Sequence, residues 1–241
     1  IEPGRVRTVA GVVRADVVLR ATEGYTRDLP GERRSMVPLY SLMIATEPLP
    51  TAVFDEIGLA DRPTFADDRY AVIYGQRTAD DRIAFGGRGV PYLFGSRIDP
   101  GTEHHEPTHE LVQQTLGELF PVLQDVEVTH RWGGVLGAPR NWTPSVTFDR
   151  GSGLATGGGY VGEGVCAANL AGRTLADLIT STDSDQVTLP WVNVHSRKWE
   201  PEPLRWLGVW GTRRVMQSAD HKEFGSESES RLGVWAAKLL K

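Results

Sequence analysis

The sequence predicts an α+β fold built on an antiparallel or mixed sheet, and three observations carry that expectation. Two β-rich runs flank the turn Thr78-Ala79-Asp80-Asp81, the spacing of a hairpin. One helical stretch follows, in which Leu111, Val112, Thr115, Leu116, Leu119 and Phe120 share a face until Pro121 stops it. Further strand candidates lie on both sides of that helix. Strands gathered around so few helices fit an antiparallel sheet with segregated helices.

In chain order, residues 5–9 and 12–13 cluster β-branched side chains around Gly11 and read as a hairpin. Val17-Val18-Leu19 is a continuous apolar run, expected of a strand buried on both faces. Ala21-Thr22-Glu23-Gly24-Tyr25 is its exit, and residues 29–34 form a polar connector bearing Pro30 and Gly31. Residues 35–46 make a long strand candidate, stopped by Pro48 and Pro50, which cannot donate to a ladder. Residues 51–69 read as a polar surface excursion. Residues 69–77 and 82–88 are the hairpin strands, closed by Gly86, Gly87 and Gly89. Residues 91–100 read as loop, and the helix is expected to begin at Thr108 or His109. Residues 126–132 alternate as a strand, and the run from Arg131 to Gly137 follows. Residues 146–148 and 154–156 flank the turn Asp149-Arg150-Gly151-Ser152-Gly153, a second hairpin.

Residues 154–179 read as a strand, a glycine loop and a helix with Ala168, Ala171, Leu175 and Leu178 on one face. Glycines let main chain approach a flat or anionic ligand, and the first helical turn leaves N–H groups unpaired. Gly157-x-Gly159-x-x-Gly162 matches the dinucleotide fingerprint letter for letter, but no clear second strand with a ribose-binding acid follows. A hairpin or helix-capping glycine cluster explains the glycines equally well. The tail from residue 183 carries Trp191, Trp199, Trp206 and Trp210, with a helix expected over 200–216 whose aromatic face docks on the body. Polarity from residue 218 onward, through the low-complexity run 225–230, predicts mobility, and residues 231–241 fit a short amphipathic helix.

Lys and Arg number 26 against 31 Asp and Glu, a net charge of −5, so no basic excess attracts nucleic acid or an anionic membrane. No apolar run reaches bilayer length. One cysteine, Cys166, allows no internal disulfide and fits a reducing cytoplasm. Its place at a helix start would activate a thiol, against the commoner case of an inert buried one. His104, His105 and His109 have metal-like spacing, but no Cys or distant His completes a ligand set, so no metal is expected.

The run Gly159-Tyr160-Val161-Gly162-Glu163-Gly164-Val165, followed by Asn169-Leu170-Ala171-Gly172-Arg173, resembles the late flavin-contacting segment of FAD-dependent oxidoreductases of the D-amino-acid oxidase-like superfamily. That superfamily includes glycine and sarcosine oxidases and gamma-glutamylputrescine oxidoreductase. Residues 16–25 and 131–144 resemble it too, so the likeness spans most of residues 5–180.

The resemblance implies FAD, an amine or amino-acid substrate, and cofactor contacts at Ala21, Thr22, Gly159, Tyr160, Val161, Gly162, Glu163, Gly164 and Val165. It implies four segments: residues 1–30 ending a first visit to the FAD-binding domain, 31–144 as substrate domain, 145–182 returning to the FAD domain, and 183–241 as an arm. The chain opens at Ile1-Glu2-Pro3-Gly4 as if in mid-domain, so the amino-terminal half of the Rossmann-like FAD domain is expected to lie elsewhere. The isolated fragment is then expected to be inactive.

Three departures stand out. Glu23 interrupts the family's Ala-Thr-Gly. Cys166 stands near a position where some oxidases carry an oxygen-activating lysine, leaving oxidase and dehydrogenase both open. Leu136 stands where glycine-oxidase-like members carry the arginine that clamps a substrate carboxylate. Arg140, Arg77 and Arg88 are the candidates left for that role, and Tyr40, Tyr74 and Trp132 for the substrate wall. The alternative, from a different class, is a non-catalytic α+β binding or scaffold module.

Overall fold

A computed structural model describes residues 1–87, 92–224, 230, 231 and 233–235. The expectations for residues 225–229 and 236–241, and for Arg88 and Gly89, lie outside the described residues. The α+β class is as expected, with ten strands in three sheets among the described residues.

The amino-terminal hairpin pairs β1 (Arg5–Thr8) with β2 (Gly11–Arg14). β3 (Val18–Arg20) then joins a three-stranded sheet of order β3-β10-β9, parallel to β10 (Leu154–Gly158), which runs antiparallel to β9 (Ser145–Asp149). β3 is not buried on both faces. Val18 is 6% exposed but Leu19 is 49% exposed, because α3 (Gly164–Thr180) covers one face of the sheet. Val146, Ala155, Ala171 and Leu175 form the core of this layer. Ala171, Thr174 and Leu175 are the buried positions of α3, whereas Ala168, expected on that face, is exposed.

The larger sheet has order β5-β6-β7-β4-β8, antiparallel throughout. Its spine is β4 (Met36–Thr46), one residue from the sequence boundary. β8 (Val128–Pro139) merges two stretches read separately from sequence into one strand, paired with β4 along its length. β6 (Ile73–Arg77) and β7 (Ile83–Gly87) form the expected hairpin, and β5 (Thr64–Ala66) extends the edge.

The segment 51–69 is more than surface. It folds as α1 (Thr51–Glu56) and puts Phe54 at 0% and Leu59 at 5% exposure into the core. α2 (Glu106–Leu119) begins earlier than expected, with Pro107 in its first turn. There the missing proline N–H costs nothing, so the helix starts ahead of its apolar periodicity. α2 lays Val112 and Leu116 on Ile44, Ile83 and Phe85, while Leu111 is 47% exposed on the solvent side.

Period-two alternation sorts β4 into two faces. Leu42 and Ile44 face α2. Val37, Leu39, Ser41 and Met43 face the opposite side, where the carboxy-terminal tail covers Val37 and Leu39.

Candidate functional site

β10 ends at Gly158, and residues 159–163 turn the chain into α3. Gly159 (φ +77°), Val161 (+52°) and Gly162 (+107°) all take positive φ. For a β-branched valine this is a strained conformation that surrounding structure must enforce. Val161 is held by burial at 8% exposure. A Cβ on Gly159 would sit 3.0 Å from the Pro139 ring, so that position needs glycine for both conformation and space.

The loop wraps the end of the β4–β8 pair. The position of a Gly158 Cβ lies 3.5 Å from the Met36 methyl, on the α2 side of the sheet. Gly162 instead meets Leu136 Cδ1, at 3.7 Å, on the open side. The chain therefore emerges over the open face just before α3 begins. No side chain caps that helix, Val165 is 92% exposed and Cys166 is exposed. Its first-turn N–H groups and the positive end of its dipole point outward from the loop.

Two of the three side chains of this bend, Tyr160 and Val161, are turned from solvent, while Glu163 is exposed. The Tyr160 ring turns inward to the core beneath α3. Burial first, and the nearby Glu23 charge second, push its phenol pKa above the ordinary value. Glu23 itself reaches across from the β3 exit. One carboxylate oxygen accepts the Gly159 N–H at 2.7 Å and the other accepts the Tyr160 N–H at 3.1 Å. Ala21 is exposed immediately before it, and the Thr22 hydroxyl bonds the Thr26 hydroxyl at 2.8 Å.

The open face is assembled by register. Leu39 pairs with Leu136, Ser41 with Gly134, and Met43 with Trp132; Tyr74 joins through Gly86. Paired residues share a face, so Leu39, Ser41, Met43, Tyr74, Trp132 and Leu136 form one surface. The Ser41 and Tyr74 hydroxyls hydrogen-bond to each other. Nothing lies within 4 Å of a Cβ placed on Gly134, and Trp132 is 40% exposed. The result is an apolar wall with one hydroxyl pair and open space at Gly134.

The structure thus brings Tyr74 and Trp132 together but leaves out two other sequence candidates. Tyr40 points to the α2 side, where its hydroxyl accepts the Asp99 N–H at 2.7 Å and donates to the Asp99 carbonyl at 2.9 Å. Arg140 pairs with Glu200 at 3.2 Å and lies over the Trp199 ring. Arg77 is likewise engaged, with Asp81 at 2.7 Å and the Phe54 ring at 4.0 Å. Arg88 lies outside the described residues. Sequence reasoning missed Ser41, Met43 and Gly134. Strand parity would have found the first two, since they alternate with Tyr40 rather than with each other.

The tail crosses one end of the open face. Trp199 precedes the helix and is buried against Val37 and Tyr92, its indole N–H donating to the Ala138 carbonyl at 2.8 Å. α4 (Leu204–Phe224) packs Trp206 and Val209 beside Val37 and Leu39, so the docking aromatics are Trp199 and Trp206, while Trp210 is 46% exposed. Glu202 anchors the near end, accepting from Tyr92, Arg205 and the Gly95 and Trp206 amides. Burial opposes its charge, but these donors outweigh burial and hold its pKa below the usual glutamate range. Asp220 anchors the far end on the Tyr70 and Ala71 amides at 2.7 and 2.8 Å. The helix continues through residue 224, although polarity predicted mobility from residue 218 onward.

His109 is buried with Nε2 3.3 Å from the Trp132 carbonyl, and His105 Nδ1 is 2.8 Å from the Thr108 hydroxyl. Among the described residues no three His, Cys, Asp or Glu side chains form a metal-holding group, and no helix is long and apolar enough to cross a membrane.

Known proteins share sequence and fold with this chain. The chain is 33% identical over 176 residues to a probable oxidoreductase OrdL of Rhizobium meliloti, covering 72% of this chain and 38% of the relative. It is 32% identical over 180 residues to the gamma-glutamylputrescine oxidoreductase of Escherichia coli, covering 73% and 39%. It therefore spans about two-fifths of the length of these curated relatives. Among solved structures it resembles glycine oxidase from Geobacillus kaustophilus, with TM-score 0.61 and 17% identity over 79% of this chain and 48% of that one. L-proline dehydrogenase from P. horikoshii gives TM-score 0.61 and 19% identity over 77% and 48%. These likenesses speak to the fold. The family profile described as FAD dependent oxidoreductase (DAO) matches residues 1–178, and the chain belongs to that family.

Proposed function

We propose that this chain supplies the flavin-edge loop and the substrate-facing sheet of an FAD-dependent amine or amino-acid oxidoreductase. The rest of the FAD-binding domain would come from further polypeptide. The observation that carries this reading is the side-chain-free main chain at Gly162 and Gly164, opening with the uncapped start of α3 onto an apolar sheet face. A tricyclic ring edge fits there because no Cβ blocks Gly162 or Gly134. Bound FAD supplies the hydride acceptor.

The protein's part is placement. In this reading Ala21, Thr22 and residues 159–165 line the cofactor, and the first turn of α3 faces the ring edge that gains negative charge on reduction. Leu39, Met43, Trp132 and Leu136 hold the apolar body of the substrate. The Ser41–Tyr74 pair offers the polar contact. With Leu136 at the carboxylate-clamp position, the surface suits an amine better than a simple amino acid held bidentately. In this reading the chain leaves the FAD domain near residue 30, re-enters it near residue 144 and ends its return near residue 182. Cys166, exposed and single, fits a reducing cytoplasm.

The test is anaerobic. The full-length polypeptide carrying this chain should purify yellow and bleach on addition of a primary or secondary amine. A colourless preparation that ignores added FAD contradicts the proposal.

A further inference from the structure

The loop's shape depends on a side chain from a distant part of the sequence. Glu23 lies 136 residues before Gly159, yet its two carboxylate oxygens take the N–H groups of Gly159 and Tyr160. Its own backbone has φ +42°, a left-handed conformation that is uncommon for glutamate. Close packing holds it there. A Cβ on Gly24 would lie 2.6 Å from Val135 Cγ1, and one on Gly137 would lie 2.9 Å from the Gly24 nitrogen and 3.1 Å from the Glu23 carbonyl carbon. The 3₁₀ turn at Glu23–Asp28 is thus pressed on β8 from one side while the carboxylate grips the glycine loop on the other.

We propose that Glu23 is the positioning residue that sets the glycine loop for the flavin. This rests on the functional reading above and deepens it. By consuming the two inward amides, the carboxylate fixes where the strand ends and the bend begins. The N–H groups left for a ligand are then those from Val161 into the start of α3, except that of Glu163, which donates to the Tyr160 carbonyl at 3.0 Å. Two hydrogen bonds to a charged acceptor are stronger than neutral ones. The strained φ of Val161 and the bend at Gly162 are held downstream of this grip. Glu23 touches neither ring nor substrate in this account and acts only through the loop.

The test uses the full-length protein with FAD, comparing wild type, Glu23→Gln and Glu23→Ala. Three quantities are read: FAD affinity, the affinity of the bound flavin for sulfite, and the thermal midpoint. Sulfite adds to the flavin and leaves negative charge on the ring, so it reports how well the α3 start is aimed. In Glu23→Gln one oxygen becomes an NH₂ that faces an N–H, so one hydrogen bond is lost. We expect sulfite affinity of the FAD-loaded fraction to fall about tenfold in Glu23→Gln and further in Glu23→Ala, on the strength of charge-assisted hydrogen bonds.

A lower thermal midpoint with wild-type FAD and sulfite affinities in the loaded fraction assigns Glu23 a structural role only and overturns the proposal. If Glu23→Ala fails to fold, Glu23→Gln decides by the same criterion. A wild-type protein that takes up no FAD removes the functional reading and this inference with it. A wild type that binds FAD beside unaffected variants removes the Glu23 role alone.

Discussion

Gly153→Ala is expected to destabilise the chain by about 3 kcal/mol or more, the cost of forcing a side chain into a backbone clash at positive φ. Gly153 has φ +69°, and a Cβ there would lie 2.1 Å from the Asp16 carbonyl oxygen. Gly153 itself is held on both sides. The Gly153 carbonyl accepts the Val18 N–H at 2.9 Å, and its N–H donates to the Asp149 carbonyl at 2.8 Å. The Asp149 carboxylate also holds the Gly151 N–H and the Ser152 hydroxyl, donors that lower its pKa. This one turn registers β3 on β10 and so joins two stretches of chain separated by the whole larger sheet. Urea unfolding of the 241-residue chain measures the effect. A variant within about 0.5 kcal/mol of wild type, the range of neutral surface changes, would contradict the account.

The largest functional effect is expected at Gly162. Gly162→Val places a β-branched side chain at φ +107°, on the surface offered to the ring. Strain and obstruction together should weaken FAD binding by the full-length protein on the order of a hundredfold, given a few kcal/mol for such a conformation. Leu136 Cδ1, at 3.7 Å, is the one neighbour within 4 Å of a Cβ there, so the global fold should hold while the cofactor leaves. Fluorescence titration with FAD reads this directly. Undiminished affinity would place the flavin elsewhere.

The sequence announced strands better than faces. Residues 35–46 end ahead of prolines and are mostly apolar, so β4 was legible to within a residue. Its two faces were not, because nearly every position along it is apolar. Tyr40 was therefore read as substrate wall, although its hydroxyl is tied to Asp99 on the α2 side, and Ser41 was passed over. Phe54 escaped notice because a six-residue helix is too short to show an apolar period, although Val53 and Ile57 pack beside it.

The loop at 159–165 was visible from its glycines and its resemblance. The grip of Glu23 was not, since a side chain bonding main chain 136 residues away leaves no local pattern. The tail was half legible. Its tryptophans implied docking, but the anchors Glu202 and Asp220 lie among ordinary acidic residues. The alternative of a non-catalytic scaffold module is not favoured, since the family match runs from residue 1 to residue 178.

The central claim is that main chain at 161–166 meets the flavin. Amide hydrogen exchange of the full-length protein, with and without FAD, tests it most directly. The account predicts that FAD slows exchange within residues 161–166, while the Gly159 and Tyr160 amides, held by Glu23, and the Glu163 amide, held by the Tyr160 carbonyl, are slow in both states. Unchanged exchange at 161–166 in a protein that demonstrably carries FAD would contradict it.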